Sequence, residues 1–148
     1  MSYRVPVQTA ADAAMHAVRR VNRRILSRSI VGSTQYVVPA GVTWTVVNLT
    51  ASVAQVSAYG GRQMNITVFD EEGVEIYESQ TSSYPRYAQG KFVWFPGAQI
   101  FEAVPNPSVT FINTYAVPQF VLKAGSTITI GPSSGFGATY IVMDEVAT

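Results

Sequence analysis

One histidine, His16, nine carboxylates and no cysteine make up most of what this chain offers for acid–base or metal chemistry. The absent cysteines remove thiolate nucleophiles, disulfides and thiolate metal sites together. His16 lies in an arginine-rich segment, and no nucleophile–base spacing accompanies it, so no catalytic residue is assigned and no enzyme is expected. A zinc site would need further nitrogen or sulfur ligands than one histidine provides. The acidic run Asp70-Glu71-Glu72-Gly73 lacks the alternating ligands of a calcium loop and reads as a solvated turn. Gly131-Pro132-Ser133-Ser134-Gly135-Phe136-Gly137 is glycine-rich, but no Lys-Ser/Thr follows it and no helix opens from it, so it is no phosphate loop. No metal and no cofactor are expected.

The residues that remain are suited to recognition. Residues 1–30 hold six arginines (Arg4, Arg19, Arg20, Arg23, Arg24, Arg28) against Asp12, a balance of +5, whereas residues 31–148 hold four basic and eight acidic residues, a balance of −4. A basic arm on an acidic body faces a different neighbour from the body. The arginine face has three readings: a solvated surface balanced by the acidic body, a contact with an acidic protein surface, or a phosphate contact with nucleic acid. Nucleic acid is the least favoured of the three. A candidate partner-binding set follows: Val18, Arg19, Arg20, Val21, Arg23, Arg24, Ile25 and Arg28, with Tyr84 and Tyr87 in the loop of residues 80–91. The aromatic group Tyr84, Tyr87, Phe92, Trp94 and Phe95 has two readings, core and interface filling or a sugar platform, and the first is favoured.

Two kinds of element would position these residues. Thr9-Ala10-Ala11-Asp12 resembles a helix start, with Thr9 as cap and Asp12 in the first turn. A helix from there to about Arg28, ended by Gly32, places Ala11, Ala14, Met15, Val18, Val21, Ile25 and Leu26 on one side and the arginines on the other. Beyond Gly32 the pattern is β throughout. Strands are expected at 35–38, 43–53, 63–69, 74–79, 92–95, 108–115, 120–122, 127–130 and 139–143, with turn signals between nearly all of them. Val38-Pro39-Ala40-Gly41-Val42-Thr43-Trp44-Thr45-Val46 and Leu122-Lys123-Ala124-Gly125-Ser126-Thr127-Ile128-Thr129-Ile130 share the pattern apolar-x-Ala-Gly-x-Thr-apolar-Thr-apolar. Such turns are common in β proteins; the other reading gives the two segments related places in two packed sheets.

The expectation is a mainly β chain: a jelly-roll-like antiparallel β-sandwich over residues 32–148, preceded by an arm and amphipathic α-helix over residues 1–31. A length of 148 residues fits one such domain. Only 13% of residues are charged and 47% are apolar, against roughly 25% charged in an average soluble protein. A surface so poor in charge favours an assembled state, and a homo-oligomer is expected. No apolar run is long enough for a signal peptide or a membrane span, so no membrane partner is expected. The sequons Asn48-Leu49-Thr50 and Asn65-Ile66-Thr67 fall in expected strands and read as chance matches.

From Tyr36 to Gln80 the chain resembles small β-sandwich structural proteins of tailed bacteriophages. The residues that carry the likeness are Pro39-Ala40-Gly41…Trp44-Thr45-Val46, then Gly60-Gly61-Arg62-Gln63-Met64-Asn65-Ile66-Thr67-Val68, then Asp70…Gly73. The resemblance implies a virion component assembled in the host cytoplasm, without an active site to carry over. The group includes capsid cement or decoration proteins and head–tail or tail components, which the pattern does not separate; the favoured expectation is a cement or decoration protein that binds the major capsid protein or other virion proteins. The alternative is a head–tail connector, collar or tail component. A carbohydrate-binding host-attachment module is the reading from a different class.

Overall fold

The computed structural model describes residues 21–54, 63–81, 89–102 and 110–148, and these are mainly β. Eight strands follow in chain order: β1 Asn22–Val37, β2 Val42–Ala54, β3 Asn65–Phe69, β4 Glu75–Gln80, β5 Gly90–Phe95, β6 Phe111–Ala116, β7 Val121–Leu122 and β8 Thr127–Ala147. The backbone path runs β4-β3-β8-β2-β5-β6, with β1 on the other edge of β8 and β7 on β2. All pairings are antiparallel except β5 with β6.

Strand β8 belongs to two layers. Its first part, Thr127–Gly131, pairs with β3, and its later part, Phe136–Ala147, pairs with β2. Strand β1 follows it along the opposite edge, from Asn22↔Glu145 to Val37↔Thr127, with register shifts between Ile30 and Thr34. The two strands bend together there. Tyr36 and Arg28 are eight residues apart on β1, about 26 Å if the strand were straight. Yet the Arg28 guanidinium lies 5.0 Å from the Tyr36 ring centroid. The buried Tyr36 hydroxyl also donates to the Thr139 carbonyl at 3.1 Å and shares a hydrogen bond with Thr139 Oγ1. The β1–β8 ribbon therefore folds back on itself, and the layer of β4, β3 and early β8 faces the layer of late β8, β2, β5 and β6.

Alternation fills the space between the layers. Ile66, Val68, Ile128 and Ile130 from one layer meet Trp44, Val46, Leu49, Ala51, Phe92, Trp94, Ile141 and Met143 from the other in one buried cluster. Such one-in, one-out spacing is the period of a strand with one face on a core. The aromatic corner is dense: Trp94 stacks on Tyr115 at 5.8 Å, and Phe92 lies 5.1 Å from Phe111. At Gly90, a Cβ would sit 2.3 Å from the Phe111 carbonyl oxygen, so the close parallel entry of β6 excludes any side chain there.

The paired Ala-Gly turns take positive φ, 79° at Gly41 and 90° at Gly125, a conformation glycine adopts without steric cost. One turn launches β2 in one layer and the other launches β8 in the facing layer. Asp70 closes the β3–β4 hairpin: its Oδ1 accepts from the backbone N–H of Glu72 at 2.9 Å and of Val74 at 2.8 Å. This acidic run is thus a side-chain-capped turn.

The expected fold needs correction. No helix occurs among the described residues, and the segment read as the end of an amphipathic helix, Asn22 to Arg28, is the start of β1. Its earlier part, with His16, lies outside the described residues. A strand prevails here because late β8 offers an open edge with acids at matching positions, and long-range pairing overrides weak local helix preference. Ser27 and Ser29 are poor helix formers, and Ile30 and Val31 are β-branched. The jelly-roll arrangement is replaced by two layers sharing one bent ribbon, and β1 runs across the expected boundary at 31/32.

Two outcomes are expected. A chain beginning at Gly32 strips β8 of its partner from Glu145 to Gly137, and its Tm should drop by more than about 5 °C in circular dichroism melts; an unchanged Tm would show that this half of β1 adds nothing. Tyr36→Phe should lower the unfolding free energy by about 1–2 kcal/mol in urea titrations, the cost of losing a buried hydrogen bond. A change near zero would show that this hydroxyl does not clamp the layers.

Candidate recognition site

The candidate residues that are described gather at one corner, where β1 starts and β8 ends. On a strand, neighbours alternate faces. Arg23 and Ile25 therefore share the outer face, whereas Arg24, Leu26 and Arg28 share the face toward the core, where Leu26 packs against the buried cluster. The helical reading had placed Ile25 and Leu26 together against the arginines; the strand separates them.

Each described arginine is engaged within its own chain. Arg23 Nε and Nη2 donate to Asp144 Oδ1 and Oδ2 at 2.8 and 3.0 Å, a two-pronged pair between directly opposed residues. Arg24 Nη1 donates to both oxygens of Glu145 at 3.1 Å. The Trp44 indole Nε1 donates to Glu145 Oε2 at 2.9 Å, so this carboxylate ties β1 and β2 to β8. Arg28 Nη1 donates to the Gln35 carbonyl at 2.6 Å and lies over Tyr36. The reading of these arginines as balanced by the protein's own acids describes Arg23 and Arg24.

The hydrogen bond from Arg23 holds the Asp144 carboxyl below its ordinary pKa, and its charge adds to this. The Trp44 indole, followed by Arg24, does the same for Glu145. Exposed pairs of this kind contribute little to stability, because solvent screens them. Their geometric effect is clearer: both guanidinium groups turn over their own sheet.

Val21 and Ile25 are exposed, Ile25 at 66%. Val18, Arg19, Arg20, Tyr84 and Tyr87 lie outside the described residues. The sugar-platform reading of the aromatic group loses Phe92 and Trp94, which are buried in the core. Phe95 is half-buried at the rim of a depression about 360 Å³ in volume, lined also by Arg23, Thr45, Val46, Val47, Pro96, Gln119 and Asp144. Sequence reasoning missed this depression, because Gln119, Pro96 and Asp144 are far apart in the chain. Among the described residues no three His, Cys, Asp or Glu side chains group closely enough to hold a metal, and no helix is long and apolar enough to cross a membrane.

No protein-family model matches the chain, and no curated protein matches it either.

The carboxylate shifts set an acid dependence. Both folded-state pKa values lie below the ordinary 3.8 and 4.5. Their stabilisation is complete above about pH 5 and is lost as pH falls through the lowered folded-state values. Asp144→Asn with Glu145→Gln should therefore cost stability at neutral pH and flatten the fall in Tm between pH 5 and pH 2.5. A variant with the same acid slope as the parent would show that other carboxylates carry it.

Proposed function

We propose that the protein is a non-enzymatic structural component of a virion, and that it acts as a capsid cement or decoration protein held against the major capsid protein. The observation that carries this reading is the edge of β1. This sixteen-residue strand pairs with β8 on one side only among the described residues. From Asn22 to Ser29 every residue but Leu26 is exposed. A long open edge is a template for another strand, and proteins ordinarily blunt it with free charges or cover it. Here Arg23 and Arg24 fold over their own sheet onto Asp144 and Glu145, so they do not guard the edge as free cations would.

The occupant proposed is an extended segment of a shell subunit, added as a strand along Asn22–Ser29. Backbone hydrogen bonds would supply much of the affinity and alternate side chains the selectivity. Ile25, exposed beside this edge, supplies an apolar anchor. The low charge of the chain and the phage-like pattern from Tyr36 to Gln80 support the same assignment. The connector, collar and tail roles share this chemistry and differ in where the copies sit.

Shell binding is the direct test. The purified protein should co-sediment with isolated capsid shells, and Ile25→Pro should reduce bound protein at least tenfold, because proline cannot donate to a strand and rarely sits within one. A matching variant at the second residue of the β3–β4 turn, Glu71→Pro, where proline suits the turn and no capping N–H is lost, should bind normally. Binding to collars or tails but not shells would move the protein to that substructure. Tight, steeply salt-dependent DNA binding without shell affinity would overturn the proposal.

A further inference from the structure

The depression beside Arg23 lies on the outer face of the β2 layer, away from the core. Arg23, Asp144 and Thr45 stand side by side there, because Asp144 is paired in register with both of the others. Its floor is a β-bulge: the β2–β8 register slips between Val46 and Asn48, so Val47 is the extra residue. Bulges re-aim side chains and open a sheet surface locally. The far wall is Phe95 and Pro96, at the end of β5, and the rim is Gln119, just before β7. The volume, about 360 Å³, is at the small end of the roughly 300–1,000 Å³ range of small-ligand sites.

Charge decides the ligand class. Arg23 is matched by Asp144 within the depression, so a bound ion of either sign meets a neutralised pair. The pair is nonetheless rich in directed hydrogen-bonding capacity. Arg23 uses Nε and Nη2 on Asp144, which leaves Nη1 as a donor. Each Asp144 oxygen keeps a second lone pair as an acceptor. Gln119 offers a donor and an acceptor, and Thr45 a hydroxyl. Donors and acceptors held side by side in fixed planes suit adjacent hydroxyl groups, each of which both gives and takes a hydrogen bond. The half-buried Phe95 ring and Pro96 supply an apolar wall for the C–H face of a ring.

We propose that this depression binds a neutral sugar, with Arg23, Asp144 and Gln119 on its hydroxyls and Phe95 against its ring. Of the aromatic platform weighed from the sequence it keeps Phe95, without the buried Phe92 and Trp94, and it does not depend on the virion assignment. The two surfaces differ: the β1 edge presents backbone, and the depression presents side chains from β1, β8, β2 and β5.

The test is an amide NMR titration of the full-length protein with glucose, galactose, mannose and N-acetylglucosamine, and with inorganic phosphate and glucuronate as charged probes. At least one neutral sugar should shift the amides of Thr45, Val47, Gln119 and Asp144. Gln119→Ala and Phe95→Ala should each weaken that binding at least about fivefold. Gln119 is exposed, so its variant should keep the parent's Tm and report on the site alone. Any of three results overturns the proposal: no neutral sugar shifts these amides, the shifts persist undiminished in Gln119→Ala, or phosphate or glucuronate binds there more tightly than every neutral sugar.

Discussion

The pairing of β1 with β8 is the constraint on which the rest of the structure depends. Both strands are long enough to serve two layers, and the bend near Gly32 and Gly131 turns one ribbon into two facing surfaces. Strand β3 attaches to the first part of β8 and β2 to the second, so each layer grows from the same strand. The Tyr36–Thr139 hydrogen bonds then tie the halves of the ribbon across the core. A strand shared in this way couples the layers mechanically, since a register slip in β8 would turn apolar residues outward in both.

The corner where β1 begins and β8 ends shows how a few polar contacts settle orientation without contributing much energy. Glu145 accepts from Trp44 on β2 and Arg24 on β1, one carboxylate binding three adjacent strands. Asp144, pointing to the opposite face, accepts from Arg23 and joins β8 to β1. The contact is local, but it decides which way the guanidinium groups lie. With the charges folded inward, the outer backbone edge of β1 has no strand partner among the described residues, and the Arg23–Asp144 pair becomes part of a polar depression. One pair of acids therefore shapes both the edge and the depression.

The low charge content acquires a physical meaning in this arrangement. On the outer face of the β2 layer, the row through Tyr140, Thr50, Val93 and Thr114 carries no charge at all. Threonine and valine suit a pleated, half-solvated surface. A sheet face of this kind presents hydroxyls as well as apolar area to its surroundings. Ile112, Ile100 and Phe101 add exposed apolar groups near β6, where Phe101 exchanges hydrogen bonds with Thr114. Edges and faces, more than any cluster of reactive groups, are what the described part of the molecule presents.

Much of the β structure was legible from local pattern. Thr43–Val53 alternates, Gly41 and Gly125 announce strand starts, and Asp70 to Gly73 announces a hairpin; all three features depend on neighbours in sequence, and the observed strands and turns lie where they indicate. The order of the strands was not legible, since no local signal says that β8 spans both layers. The start of β1 misled for the same reason: Val21 to Leu26 fits a helical stripe if read alone, while its strand form is dictated by the open edge of β8 and by Asp144 and Glu145, more than a hundred residues away. The depression is the extreme case, with walls contributed by four strands and a bulge that no turn residue marks. Residue types alone determined that the chain would be β-rich, short of charge and without thiol chemistry. Which side chains meet was decided by tertiary pairing, because contact between distant segments depends on register, and register is settled only when both layers close over a common core.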